Sequence, residues 1–181
     1  MEFGIADYYM IGELITCWGA FLICVNTLLS YALYDRRQRY FLYAASATFF
    51  TSLFNMLSVY HIAHFTEHSV FVNTFITSIY FFLLLISPFI MTSYVCDMAV
   101  QSDKKKKIFN IICGITQTCY SLVIILNVKT GWVFHYDAEL GYIRGPLKYI
   151  TYALSMLYGL AIVITVFIQR KKLSRRIFWA L

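Results

Sequence analysis

Long apolar runs separated by three short basic blocks constrain this chain more than any other feature of its sequence. The blocks are DRRQR at 35–39, DKKKK at 103–107 and RKKLSRR at 170–176, and they hold 12 of the 15 Lys and Arg residues. A soluble domain has about a quarter of its residues charged, whereas only 13% are charged here and 60% are hydrophobic. The pattern predicts a multispanning membrane protein. The net charge of +6 is confined largely to these blocks, so we expect no nucleic-acid partner.

Five apolar segments are long enough to cross a bilayer. A hydrocarbon core of about 30 Å needs roughly 20 helical residues, and a backbone inside it must be helical because lipid offers no hydrogen-bond partners. We therefore predict one domain over residues 1–181, an all-α polytopic helix bundle in the lipid bilayer. Its predicted spans are about 9–34, 40–65, 70–100, 108–128 and 147–168.

The basic blocks also predict an orientation. They follow spans one, three and five, which places that side of the bundle in the cytoplasm and the N-terminus outside. After the third block the chain reads IFWAL. This ending indicates either the start of a sixth helix in a truncated sequence or a short interfacial tail with Trp179 at headgroup depth.

Polar residues inside the spans are candidates for packing or function. Proline in span three, Pro88, is expected to kink its helix and is the hinge candidate. No ionisable residue lies near a predicted midplane, which argues against an ion-driven transporter. A stripe of small and polar side chains in span two predicts close packing against another helix; it consists of Ala44, Thr48, Thr51, Ser52 and Asn55.

Three histidines, His61, His64 and His68, end span two at spacings of three and four. On a continuing helix they share a face, where they could bind zinc or sense external acidity. Without a defined fourth ligand, ordinary interfacial histidines are the simpler interpretation, so we assign no metal and no cofactor. The sequence has no H-E-x-x-H, G-x-S-x-G or phosphate-binding glycine loop, and we predict no catalytic residue in this chain.

The segment GWVFHYDAELGYIRGP, Gly131–Pro146, interrupts the apolar pattern between spans four and five. Aromatic residues alternate in part on either side of an Asp-Ala-Glu turn, which predicts a short β-hairpin. Arg144 in this segment could bind an anionic group, or could pair with Asp137 or Glu139 to hold the loop. Aromatic rings also suit the membrane interface, so the loop need not recognise anything.

The run NVKTGWVFHYDAELGYIRGPLKYITYALSMLY, residues 127–158, resembles the seven-transmembrane N-terminal sensor region of bacterial histidine kinases and GGDEF-type diguanylate cyclases. The resemblance implies a signal-input domain in the bacterial cytoplasmic membrane. Its output domain, a diguanylate cyclase or histidine kinase, would lie beyond residue 181, and the full protein would be a homodimer.

The expected mechanism is a repacking of helices when an unknown small-molecule signal binds. The candidate ligand contacts are Asn73, Asn127, Trp132, Phe134, His135, Tyr136, Tyr142 and Arg144. Two alternatives remain open from the sequence. The chain could be a small transporter subunit gated by the aromatic loop, or a stand-alone membrane scaffold that pairs through the stripe in span two.

Overall fold

The computed structural model describes residues 5–29, 36–100, 102–137 and 139–169. Five helices and one two-stranded sheet make up this part of the chain. The elements, in chain order, are α1 (Ile5–Leu29), α2 (Arg36–Ala63), α3 (Val70–Ala99), α4 (Asp103–Thr130), β1 (Phe134–Asp137), β2 (Gly141–Arg144) and α5 (Ile150–Gln169). All five helices are long and apolar enough to cross a membrane, which indicates a multi-pass membrane protein.

The helix ends differ from the predicted spans where charge and turns outweigh hydropathy. α2 and α4 begin inside basic blocks, at Arg36 and Asp103, because Lys and Arg favour helix and their long stems can stay beside apolar surface. α5 begins at Ile150 rather than 147, because a turn precedes it in which Lys148 N–H donates to the Gly145 carbonyl. The predicted sixth helix and Trp179 fall outside the described residues.

α3 is the central helix of the bundle. It packs against α2, α4 and α5, whereas α1 packs against α2. The core lies where α3, α4 and α5 meet, and there Leu85 is fully buried. Tyr120 of α4 joins all three helices, since its hydroxyl donates to the Phe81 carbonyl at 2.9 Å and bonds the Thr151 hydroxyl at 2.8 Å.

The stripe in α2 lies inside the bundle. Ala44 and Ser52 are buried, the hydroxyls of Thr48 and Ser87 are hydrogen-bonded at 3.1 Å, and Thr51 donates to the Leu83 carbonyl at 3.2 Å. Two helices can approach this closely because the side chains between them are small. The stripe therefore packs α2 against α3 within one chain.

Pro88 lies inside α3, which is helical on both sides of it. Proline has no N–H to donate to Leu84, so one backbone bond is missing at this level. The Thr92 hydroxyl donates back to the Pro88 carbonyl at 2.6 Å and supports the next turn. The predicted hinge thus lies in a continuous helix, and its bending remains a prediction.

The predicted hairpin is present between α4 and α5. β1 and β2 pair antiparallel, with Phe134 opposite Arg144 and Asp137 opposite Gly141. Gly131 ends α4 in the left-handed region at φ 63°, and Gly141 has φ 72° after the turn. Only glycine adopts these angles without steric cost, which explains both positions.

Candidate functional site

Asn127 fixes the hairpin to the end of α4. Its side-chain oxygen accepts hydrogen bonds from the N–H groups of Val133 and Phe134, at 2.7 and 3.3 Å, and its amide donates to the Phe134 carbonyl at 2.9 Å. The residue is buried, so these bonds replace the water that the backbone groups would otherwise need. Asn127, predicted as a ligand contact, therefore has its polar atoms occupied by the hairpin.

One face of the hairpin packs onto the helices. Phe134 is buried and stacks on Phe81 of α3 with ring centroids 5.2 Å apart. Tyr136 is buried beside it, and its hydroxyl is hydrogen-bonded to Thr77 at 2.8 Å. Burial raises the pKa of Tyr136, and the hydrogen bond to Thr77 opposes the shift. Two predicted contacts, Phe134 and Tyr136, are thus packing residues that orient the hairpin.

The same face carries a cleft at its edge. Tyr142 and Arg144 lie opposite Tyr136 and Phe134 in the register, so all four side chains share a face. We call the space beside them the hairpin cleft. It has a volume of about 480 Å³ and lies between α2, α3, β2 and the start of α5. Its lining comprises Asn55, Ser58, Val59, Ile62, Thr77, Tyr80, Phe81, Tyr142, Arg144, Lys148, Tyr149 and Tyr152.

Two cations line the hairpin cleft. Arg144 and Lys148 face it, and neither forms an ion pair within the part of the chain that the structure describes. The alternative role of Arg144, pairing with Asp137 or Glu139, is not seen. Asp137 instead accepts hydrogen bonds from the N–H groups of Glu139 and Leu140 at 2.8 and 3.0 Å.

Tyr142 lies close enough to Arg144 for the charge to affect its ionisation. Burial raises the pKa of Tyr142 to about 12, and the Arg144 guanidinium opposes that shift. The phenol is therefore neutral at physiological pH, and it offers the cleft a hydroxyl beside a cation. Lys148 also lies 5.0 Å above the ring of Tyr149, where the ring face attracts its charge.

A second cavity adjoins the hairpin cleft deeper in the bundle. We call it the Glu13 chamber; it has a volume of about 380 Å³ and lies between α1, α2, α3 and α5. Asn55 lines the hairpin cleft and donates to the Glu13 carboxylate at 2.7 Å, so this hydrogen bond marks the boundary between the two spaces. The chamber is lined mostly by hydroxyl groups: Thr16, Thr48, Thr51, Ser52, Ser87 and Ser155.

The remaining predicted contacts lie elsewhere. Trp132 and His135 line a separate cavity of about 530 Å³ between the end of α4, the start of α3 and the hairpin, and three further predicted contacts also line it: Asn127, Phe134 and Tyr136. Asn73 is buried, and its amide donates to the Phe65 carbonyl at 3.1 Å while its oxygen bonds His61 Nδ1 at 2.9 Å. Of the eight predicted ligand contacts, only Tyr142 and Arg144 line the hairpin cleft.

The three histidines do not converge on one point. His61 is buried against Asn73, His64 stacks on Tyr60 with centroids 4.5 Å apart, and the ring of His68 lies 4.4 Å from that of His61. Across the described ranges, no group of three or more His, Cys, Asp or Glu side chains could hold a metal ion.

Sequence reasoning missed most of the cleft. Lys148, Tyr149 and Tyr152 were not singled out, because such residues are common where a span begins, and Tyr80 is one of many aromatic residues in the chain. The hydrogen bond between Glu13 and Asn55 joins residues 42 positions apart. The sequence feature that could have pointed to this bond is Glu13 itself, because it is an acidic residue inside an apolar span.

No family model, no curated protein and no solved structure matches this chain. The resemblance to seven-transmembrane sensor regions therefore remains a prediction from residues 127–158.

Proposed function

We propose that this chain is the membrane-embedded input domain of a bacterial signalling protein, and that the hairpin cleft binds its small-molecule signal. The observation that carries the proposal is the pair of cations at the cleft. Arg144 and Lys148 line a space of about 480 Å³ together with aromatic rings and hydroxyl groups, and neither is neutralised by an acidic side chain of the described chain. A site of this size and chemistry suits a small ligand with an anionic group.

The position of the cleft supports a signalling role. A ligand there would touch α2, α3, β2 and α5 at once, and α3 is the helix on which α2, α4 and α5 all pack. A ligand shifts an equilibrium only when it binds two arrangements with different affinity. Pro88 lies eight residues, about 12 Å of helix, from Tyr80 of the cleft, where a missing backbone bond makes bending of α3 easiest.

The orientation and the output complete the proposal. The basic ends of α2 and α4 lie in the cytoplasm and the hairpin lies outside, in accordance with the distribution of Lys and Arg. The output is a diguanylate cyclase or a histidine kinase encoded beyond Leu181, and the full protein is a dimer. This part rests on the resemblance alone. Sequencing the reading frame after the codon for Leu181 tests it: a GGDEF or kinase domain supports it, and a stop codon contradicts it.

Titration calorimetry of the chain in lipid nanodiscs tests the cleft. The probes are hexanoate and inorganic phosphate, which carry the anionic group without further chemistry. We expect Arg144→Gln and Lys148→Gln each to weaken binding about tenfold or more, because a hydrogen bond to a charged group contributes about 1.5–3 kcal/mol. Lys129→Gln is the matched control, since Lys129 lies outside the hairpin cleft on the last turn of α4. Equal binding by all three variants would contradict the proposal.

A transporter subunit is the second candidate, and the Glu13 chamber is the observation that favours it. A carboxylate beside a hydroxyl-lined space within the spans is a common feature of substrate paths. Uptake of radiolabelled hexanoate into proteoliposomes separates the two, because an input domain binds its ligand without moving it. The scaffold alternative is less favoured, since the stripe in α2 is used within the chain.

A further inference from the structure

We infer that the ligand of the hairpin cleft is a small zwitterion whose acid group binds Arg144 and Lys148 and whose protonated amine binds Glu13. The inference rests on the proposed function, because it names the ligand class for the same cleft. The chemistry is that of an amino acid with a distant amine, or of a short peptide.

Glu13 has no charged partner among the described residues. Its carboxylate lies in α1 inside the apolar span Met10–Leu29. Asn55 donates one hydrogen bond to it, whereas a carboxylate can accept about four. No Lys, Arg or His pairs with Glu13 within the described ranges. A charge in a span is costly unless it has a partner, and a ligand ammonium group would supply both the charge and the missing donors.

The charges around the two cavities lie at different depths in the bundle. Asn55 lies eight residues before the end of α2, which places the Glu13 carboxylate about 12 Å below that end of the helix. Arg144 and Lys148 lie in the hairpin and the following turn, at the end itself. Opposite charges thus lie at two cavities that meet at the hydrogen bond between Asn55 and Glu13, with the cations near the surface and the anion within the bundle.

This order of charges favours a soluble zwitterion over a lipid as the ligand. An acyl chain of a phospholipid bound at Arg144 that entered the Glu13 chamber would lie against the Glu13 carboxylate. An apolar chain there would leave that carboxylate with only its Asn55 donor. A zwitterion directs an amine inward instead, and the amine matches Glu13.

The lining between the charges suits the same ligand class. Tyr80, Tyr142 and Tyr152 supply ring faces and hydroxyl groups, and Asn55 offers an amide beside Glu13. Ring faces attract an ammonium group, and hydroxyl groups can satisfy a peptide bond. The cleft volume of about 480 Å³ falls in the range of small-molecule sites.

A series of ω-amino acids measures the separation of the two charges. Titration calorimetry in nanodiscs would compare glycine, 4-aminobutyrate, 6-aminohexanoate and 8-aminooctanoate with hexanoate and hexylamine. We expect the affinity to pass through a maximum with chain length. The best member should bind at least about tenfold more tightly than hexanoate, because it gains a charge-assisted hydrogen bond.

Glu13→Gln tests the inner contact without removing its partner, since a glutamine oxygen still accepts from Asn55. We expect this variant to bind the best ω-amino acid no more tightly than it binds hexanoate. Glu139→Gln, in the exposed hairpin turn, is the matched control for loss of an acidic charge and should bind as the unmodified chain does.

The outcomes separate the two proposals. If hexanoate binds and the ω-amino acids bind no better, or if Glu13→Gln does not weaken the best of them, the zwitterion is excluded and the anion site stands. If hexanoate and phosphate bind independently of Arg144 and Lys148, the proposed function fails as well. The chain can also be purified from vesicles of phosphatidylethanolamine. If a phospholipid co-purifies with the unmodified chain but not with Arg144→Gln, the occupant is a lipid and the inference is overturned.

Discussion

At the scale of single residues, the junction between the hairpin and α5 depends on an absent side chain. Gly145 N–H donates to the Val133 carbonyl at 2.8 Å, and Leu147 N–H donates to the Trp132 carbonyl at 2.8 Å. A Cβ atom on Gly145 would overlap the carbonyl oxygens of Gly131 and Trp132. The Trp132 carbonyl cannot move without breaking its bond to Leu147, so only glycine, which has no Cβ, fits at this position.

Gly145→Ala should therefore destabilise the protein by about 3 kcal/mol, the upper part of the usual range for overpacking. Gly159→Ala is its control, because a Cβ there meets nothing within 4 Å. In the middle of α5 it should instead stabilise by up to about 1 kcal/mol, through helix propensity. Denaturation of the two variants in detergent measures both effects, and similar stabilities would contradict the steric argument.

Asp137 predicts a response of the hairpin to acid. The N–H groups of Leu140 and Glu139 bond its carboxylate and hold its pKa below the ordinary value of 3.8. Since the folded pKa is the lower one, the carboxylate stabilises the turn fully above the unfolded pKa, and this contribution is lost as the pH falls through the folded pKa. Amide hydrogen exchange at Leu140 should therefore accelerate below pH 3.8.

Asp137→Asn is the control for this acid response. Its side-chain oxygen can accept the same two hydrogen bonds but does not titrate. We expect exchange at Leu140, corrected for the intrinsic effect of pH, to be nearly independent of pH in the variant. An equal acceleration in both proteins would mean that another group controls the turn.

The sequence predicts only some of the residues that shape the hairpin. The turn around Asp137 and the glycine after it are local signals, so the hairpin was predictable. The role of Asn127 was not, because its partners Val133 and Phe134 become neighbours only after the chain reverses. Nothing in the residue type distinguishes a ligand contact from an anchor of the backbone.

At the scale of elements, contacts between hydroxyl groups connect α2 and α3. The Thr48 hydroxyl donates to the Ala44 carbonyl of its own helix at 3.0 Å and is hydrogen-bonded to Ser87 of α3 at 3.1 Å. A similar bond joins Ser58 and Thr77 at 3.1 Å, nearer the hairpin. The two helices are thus tied at more than one level.

A double-mutant cycle measures the hydrogen bond between Thr48 and Ser87, which lies farther from the hairpin. We expect Thr48→Val and Ser87→Ala to couple by about 0.6 kcal/mol, the average for hydrogen bonds between membrane helices. Thr118→Val with Ser87→Ala is the control cycle, because the Thr118 hydroxyl bonds only the Gly114 carbonyl in its own helix. Its coupling should be near zero, and stability in detergent is the readout. A negligible Thr48–Ser87 coupling would show that packing alone joins the helices.

The helices were predictable because hydropathy acts locally, over about 20 consecutive residues. The hairpin cleft was not, because it is formed by side chains from α2, α3, β2 and α5 that no periodicity brings together. The sequence singled out Arg144 but not Lys148, because a lysine at the start of a span is common at the membrane interface.

At the scale of the whole molecule, the two ends of the bundle differ in charge and in structure. α4 runs for 28 residues, about 42 Å, from its lysine-rich start to the hairpin. The proposed orientation places these two ends on opposite sides of the membrane. The hairpin cleft would then open to the exterior.

Labelling of single cysteines tests this orientation in intact bacteria, after the five native cysteines are replaced. We expect Glu139→Cys to react with a membrane-impermeant maleimide, and Lys105→Cys to react only after the cells are permeabilised. Both side chains are exposed, so accessibility to the reagent depends on sidedness alone. The reverse pattern would invert the protein and place the cleft in the cytoplasm.

The bonds that close the hairpin have a consequence for chain continuity. β1 and β2 are hydrogen-bonded to each other. The hydrogen bonds of Asn127 and Gly145 bring the chain back to the end of α4. A break between Glu139 and Leu140 would leave every one of those bonds in place. We therefore expect two polypeptides, one ending at Glu139 and one beginning at Leu140, to associate in the membrane and restore the bundle.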